Sequence, residues 1–232
     1  MANPDSYYLR AEVSNSDLTE LKNYLYPRPQ YGDKEKAFKF GTLVDALITE
    51  NDRVRYDKLM VDDYVYTKEE FELGIEMRKA LRKEAEKDRF LAVVLEQSDT
   101  QRFMVNKQHE FHYGNFAYHL DTRCKWDWWL SDFHFGGDLK TTFAETQAQF
   151  DEAIDFFDWD RSRAWYMDIA GSEQDFIYAI SKKNCKIFKH FITDRSHPSY
   201  IRGKEKINMK RACLCLYTNQ KAAECKVVNF FS

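Results

Sequence analysis

Residues 133–143 read FHFGGDLKTTF. An aromatic, strand-like run ends on two glycines, and Asp138 and Lys140 follow at a spacing that puts both side chains on one face of a strand. Such a pair is either a surface ion pair or a metal-binding carboxylate beside an ammonium that handles a phosphate or a water. The residues upstream bear on the choice. Aromatic and β-branched residues alternate through TQRFMVNKQHEFHY (100–113), NFAYHLDTRCKWDWWL (115–130) and SDFHFGGDLKTT (131–142), which predicts an antiparallel meander. In its second run Asp121, Arg123, Lys125 and Asp127 share one parity while Thr122, Cys124 and Trp126 take the other, a charged face against an apolar one. Asp127 and Asp138 then lie on consecutive strands joined around Leu130–Asp132, where facing side chains approach to about 5 Å. Two carboxylates that close repel each other unless a cation lies between them. A divalent metal with an oxygen-only shell meets that need, and Lys140 adds a positive charge that can orient water or steady phosphoryl oxygens. This chemistry is that of phosphodiester cleavage.

The flanks predict helices around this sheet. SNSDLTELKNYL (14–25) carries capping residues ahead of leucines at helical spacing, and YPRPQYGDKEK interrupts it. FGTLVDALITE (40–50) is a short apolar helix in which Asp45 is the only charge between Phe40 and Glu50. TKEEFELGIEMRKALRKEAEKDRF reads as one amphipathic helix from Thr67, with Glu70 completing a capping box and Phe71, Ile75 and Leu81 as its buried stripe. Beyond the meander, AETQAQFDEAIDFF and DRSRAWYMDIAG are helical, DFIYAIS and CKIFKHFIT are strands, and GKEKINMKRACLCLY is a basic helix. The order implies an α/β (α+β) fold, a mixed central sheet flanked by helices. No repeat or low-complexity linker divides the 232 residues, so one domain is expected, with N-terminal helices at about 14–97, a sheet and catalytic core at about 98–192 and a basic helical segment at about 199–232.

Composition narrows the function classes. The 44% apolar and 16% aromatic residues can fill a core, yet the longest apolar runs are too short to span a bilayer and the N-terminus lacks a signal-peptide segment. A cytoplasmic protein without a membrane partner is expected. Five cysteines without a CxxC, and six histidines without an HExxH, argue against a disulfide framework and a zinc centre. The net charge of −3 conceals an asymmetry: residues 181–232 carry +9 and residues 1–180 carry −12. The basic quarter, with Lys204, Lys206 and Lys210, is either a solvated face or the footprint of a polyanion such as DNA.

CKWD at 124–127 followed by DLK at 138–140 resembles the split signature of the PD-(D/E)XK nuclease superfamily, with Trp126 where the family has proline. The ordered set of SNSDL, FGTLVDALITE, RCKWD, GGDLKTT, Phe150, AWYMDIAG and FIYAI is similar to the nuclease domain of RecE-type exonucleases (exodeoxyribonuclease VIII) and their phage relatives, over roughly residues 13–192. The resemblance implies a restriction-endonuclease-like core and a Mg²⁺-dependent exonuclease, with Mn²⁺ as substitute. It makes Asp127, Asp138 and Lys140 catalytic, and Asp45, Asp127 and Asp138 metal ligands. Glu50 and Tyr166 are supporting residues; Glu50 otherwise buttresses its helix, and Tyr166 otherwise belongs to the core. Linear double-stranded DNA is the implied substrate, with a single-strand annealing protein and further copies of the chain as partners, in recombination or phage DNA processing. Two departures stand out: Asp45 takes the place of a histidine ligand, and Ser162 takes the place of a glutamine four positions before Tyr166. They keep open a DNA-binding or assembly module on the same fold, and the same centre also serves endonucleases.

Overall fold

The computed structural model describes residues 10–27, 33–113 and 116–208. Helix α1 (Asn15–Leu25) begins at Ser14, whose backbone and hydroxyl both donate to Asp17, and α2 (Lys34–Thr49) begins at Asp33, which accepts from the Lys36 amide. A 3-10 turn (Asn51–Arg53) leads into a small antiparallel sheet of β1 (Val54–Arg55), β2 (Met60–Val61) and β3 (Tyr64–Val65). The single helix expected from Thr67 onward is two: α3 (Lys68–Ala85) and α4 (Arg89–Gln97). The break has a local cause, because Asp88 accepts from the amides of Phe90 and Leu91 and so starts a new helix where continuation was expected.

The central sheet runs β4–β5–β6–β7–β8. β4 (Asp99–Tyr113), β5 (Phe116–Leu130) and β6 (Phe135–Thr142) form the antiparallel meander. A crossover through α5 (Gln147–Phe156) and α6 (Trp159–Ala170) places β7 (Asp175–Ser181) parallel to β6, and β8 (Ile187–Ile192) closes the sheet antiparallel. α7 (Pro198–Asn208) packs on α6. The rest of the basic segment, Lys210 and the cysteines at 213, 215 and 225 included, lies outside the described residues. Among the described residues no helix is long and apolar enough to cross a membrane.

Helices cover both sheet faces. Leu43, Leu47, Phe71, Met77, Leu81, Leu91 and Val94 of α2–α4 meet Trp128, Phe176 and Tyr178, while Leu18, Leu21, Trp165 and Met167 of α1 and α6 meet Cys124, Trp126 and Trp129. The two glycines of the opening stretch are required by this packing. A side chain at Gly137 would overlap the Phe176 ring, and one at Gly136 would press on Trp126 and Trp129, an overpacking that costs about 1–3 kcal/mol. The alternation of β5 is broken at one point. Cys124 and Trp126 enter the cluster under α6, whereas Trp128 and Leu130, of the same parity, enter the cluster under α2–α4. The face changes at Asp127. The charged face is also less uniform than expected, since Arg123 is buried and donates to the carbonyl of Arg10 at 2.7 Å.

Candidate active site

The change of face coincides with a parting of strands. β5 and β6 pair only from Trp128–Gly137 to Leu130–Phe135, so their ladder stops just before Asp127 and Asp138 come opposite each other. Asp127 Oδ2 takes up the amide this leaves over, accepting from the Leu139 N–H at 2.7 Å. The two aspartates converge at the end of a cleft of about 780 Å³ whose walls include Asp45, Gln101, Lys125, Lys140 and Tyr166.

Electrostatics separate the pair. Burial, then the charges of Asp138 and Asp45, push the Asp127 carboxyl well above the usual carboxylate range. Burial pushes Asp138 up as well, but Lys140 and Arg163 outweigh it and hold Asp138 below its ordinary value. Lys140 pairs with Asp138, as its spacing implied, and the guanidinium of Arg163 lies 3.2 Å from the same carboxylate. Arg163 is fully buried, 3.7 Å from the equally buried Asp175, and lies over the rings of Trp126 and Tyr166 at 5.1 and 4.2 Å from their centroids. Burial drives the Asp175 carboxyl well up, with Arg163 pulling against it.

Of the remaining expected residues, Asp45 lines the cleft from α2 but is engaged locally. Thr49 donates to it at 2.9 Å, and the Gln101 amide donates to both its oxygens at 3.2 and 3.3 Å. Burial raises the Asp45 carboxyl against the pull of the Thr49 hydroxyl. Among the described residues no three His, Cys, Asp or Glu side chains close on one point, so two of the three expected ligands come together and Asp45 stands at the wall. Two carboxylates are nonetheless what Mg²⁺ ordinarily takes from a protein, the remainder of its shell being water and phosphate oxygen. A close pair of carboxylates, Asp138 buried and Asp127 half-buried, in which desolvation and the neighbouring charge raise one member fits a hard cation of that kind.

Glu50 ends α2 and pairs with Arg53, which holds Asp62 at 2.6 Å; it braces the small sheet. Tyr166 faces the cleft and stacks on Arg163. Ser162 is buried on α6. Lys204 pairs with Asp168, and Lys206 with Asp155, Asp158 and Asp160 at 2.7, 3.3 and 2.9 Å, so both are engaged with carboxylates of the fold. Gln101, Arg163 and Asp175 escaped the sequence reading. A polar residue in a strand and a charged residue in a helix carry no periodic mark of burial, and their partners are remote in sequence.

No protein-family model and no curated protein sequence matches the chain. Among solved structures, one from Eubacterium rectale, provisionally described as an exonuclease, superposes with a TM-score of 0.60 at 14% identity over 94% of this chain and 85% of its own. A phage-related exonuclease from Haemophilus somnus 129PT gives 0.42 at 12% identity over 92% and 96%. An alkaline exonuclease from Laribacter hongkongensis gives 0.31 at 11% over 92% and 94%. The fold comparison rests on the first. The chain shares that structure's overall fold, and the mixed central sheet flanked by helices expected from the sequence is borne out.

Proposed function

We propose that this protein is a Mg²⁺-dependent DNA exonuclease, RecE-like, that hydrolyses the phosphodiester bonds of linear double-stranded DNA in recombination or phage DNA processing. The observation that carries the reading is the convergence of Asp127 and Asp138 where β5 and β6 part, with Lys140 beside Asp138 in the lining of the same cleft of about 780 Å³. Asp127 and Asp138 would hold Mg²⁺, or Mn²⁺ in its place, which when bound polarises the phosphoryl oxygen and acidifies a water. Lys140 supplies positive charge beside the phosphorus oxygens. Arg163 keeps Asp138 ionised from behind, and the Leu139 amide fixes the orientation of Asp127. Phosphate contacts along the duplex are assigned to basic residues of the C-terminal segment, Lys210 among them. A single-strand annealing protein and further copies of the chain are the partners this reading implies.

A second reading, a DNA-binding module without turnover, is favoured by one observation, the absence of a closed three-ligand cluster among the described residues. One assay separates them. Linear duplex DNA should be degraded in Mg²⁺ or Mn²⁺ and spared in chelator, while covalently closed circles survive. Equal cutting of circles makes the protein an endonuclease, and binding of DNA without cutting in either metal selects the second reading.

A further inference from the structure

Gln101 sits within β4 with a φ of 54°, in the left-handed region that side chains other than glycine adopt only at a cost. The ladder to β5 pairs Thr100 with Trp128 and Arg102 with Trp126 but omits Gln101 and Asp127, which fall opposite each other between them. The strain therefore lies across from a candidate catalytic carboxylate, at the point where β5 changes face. What the irregular backbone secures is visible in the side chain. The Gln101 amide crosses to α2, donating to Asp45 at 3.2 and 3.3 Å and to Thr49 at 3.0 Å, and both Gln101 and Asp45 line the cleft.

We propose that Gln101 is a positioning residue for this site: its left-handed backbone aims a neutral amide at Asp45 and fixes that carboxylate at the cleft wall facing Asp127 and Asp138. A neutral donor suits the task. A lysine there would neutralise Asp45, and a regular strand conformation would point the side chain along the normal alternation of β4 instead. Held in this way, Asp45 completes the negative lining that a cation on the other two aspartates would meet through its water. The inference rests on the metal-site reading above.

The test uses the full chain with Gln101→Gly and Gln101→Ala. Both remove the amide, but only glycine adopts the left-handed backbone freely, so Gln101→Gly should unfold at a higher temperature than Gln101→Ala. Mn²⁺ affinity measured by calorimetry should nevertheless fall in both by about tenfold to a hundredfold, as for other residues that orient a metal site from outside. Parent-like Mn²⁺ affinity in Gln101→Gly overturns the inference and leaves the nuclease reading intact. Weakened Mn²⁺ binding in a protein that cuts no DNA supports the inference and removes the nuclease reading. A parent that neither binds Mn²⁺ nor cuts DNA overturns both.

Discussion

Two regions of this molecule are built from aspartates and cations and behave in opposite ways. Where α1, α5, α6 and α7 meet, Asp155, Asp158, Asp160 and Asp168 face Lys22, Arg161, Arg202, Lys204 and Lys206, and each carboxylate has a cation in contact. The Lys206 hydrogen bond holds Asp155 below the usual range, and Lys22 with Arg161 does the same for Asp158 despite its burial. In the cleft the balance fails. Asp138 takes both Lys140 and Arg163, while Asp127 accepts from the Leu139 amide, lies in hydrogen-bond contact with Asp138 and is pushed up, first by burial and then by the charges of Asp138 and Asp45. Compensated carboxylates make an interface; a raised carboxyl beside a compensated one is the feature on which the proposed cation site rests.

The comparison can be broken most sharply at Asp127. Asp127→Asn keeps an oxygen for the Leu139 amide but removes a charge, so cutting should fall by about a thousandfold or more while stability without metal rises. A carboxyl whose folded pKa is raised favours the folded state at acid pH, and that contribution is lost as pH rises through the folded value. The stability advantage of Asp127→Asn over the parent should accordingly grow from the ordinary carboxylate range toward neutral pH, as thermal unfolding in chelator across pH would record. An advantage that shrinks with rising pH would mean Asp127 is not the uncompensated member. The sign is opposite for Asp155 and Asp158, whose lowered values make the α6–α7 contact strongest at neutral pH and weaker as pH falls through their folded values.

Lys140→Ala comes next. It should lower turnover by about a hundredfold to a thousandfold, the usual scale for losing one donor to a developing charge, with Mg²⁺ binding retained by calorimetry. Loss of metal binding in this variant would reassign Lys140 to holding Asp138 in place.

On the compensated side, Lys206→Met should destabilise the fold by about 1 kcal/mol, because it removes one cation from three aspartates that keep contacts to Lys22, Arg161 or Arg202, and should leave the rate per folded molecule unchanged. Denaturant unfolding beside a cutting assay checks both. A loss of DNA affinity without loss of stability would return Lys206 to the DNA-binding face. The smallest effect belongs to Lys210→Ala, which should reduce the slope of log K for DNA against log salt by about 0.9 if that residue meets one phosphate.

The order and type of the central elements were legible because they depend on local patterns. Alternation from 99 to 142 marks three strands, and capping residues at Ser14 and Thr67 mark helix starts that the structure keeps. The restart at Asp88 is not legible because the two cap hydrogen bonds of Asp88 outweigh an uninterrupted helical pattern. The small sheet of β1–β3 was missed because strands of two residues leave no period to read. Asp127, Asp138 and Lys140 were legible as a group, since strand parity and a short connection bring them together whatever the rest of the chain does.

Charge patterning is ambiguous at the C-terminal segment for a physical reason. A run of lysines looks the same whether it faces water, a phosphate backbone or a second helix, and only the packing of α7 on α6 set Lys204 and Lys206 against aspartates. By itself the sequence determined the meander, the helices that flank it and the carboxylate pair, because each follows from side-chain period and short-range geometry. The tertiary structure alone decided where β5 and β6 part, which carboxylate Arg163 serves, and that Asp45 is held by Gln101. Those outcomes depend on contacts between residues far apart in the chain and on a strained backbone that no local preference would select.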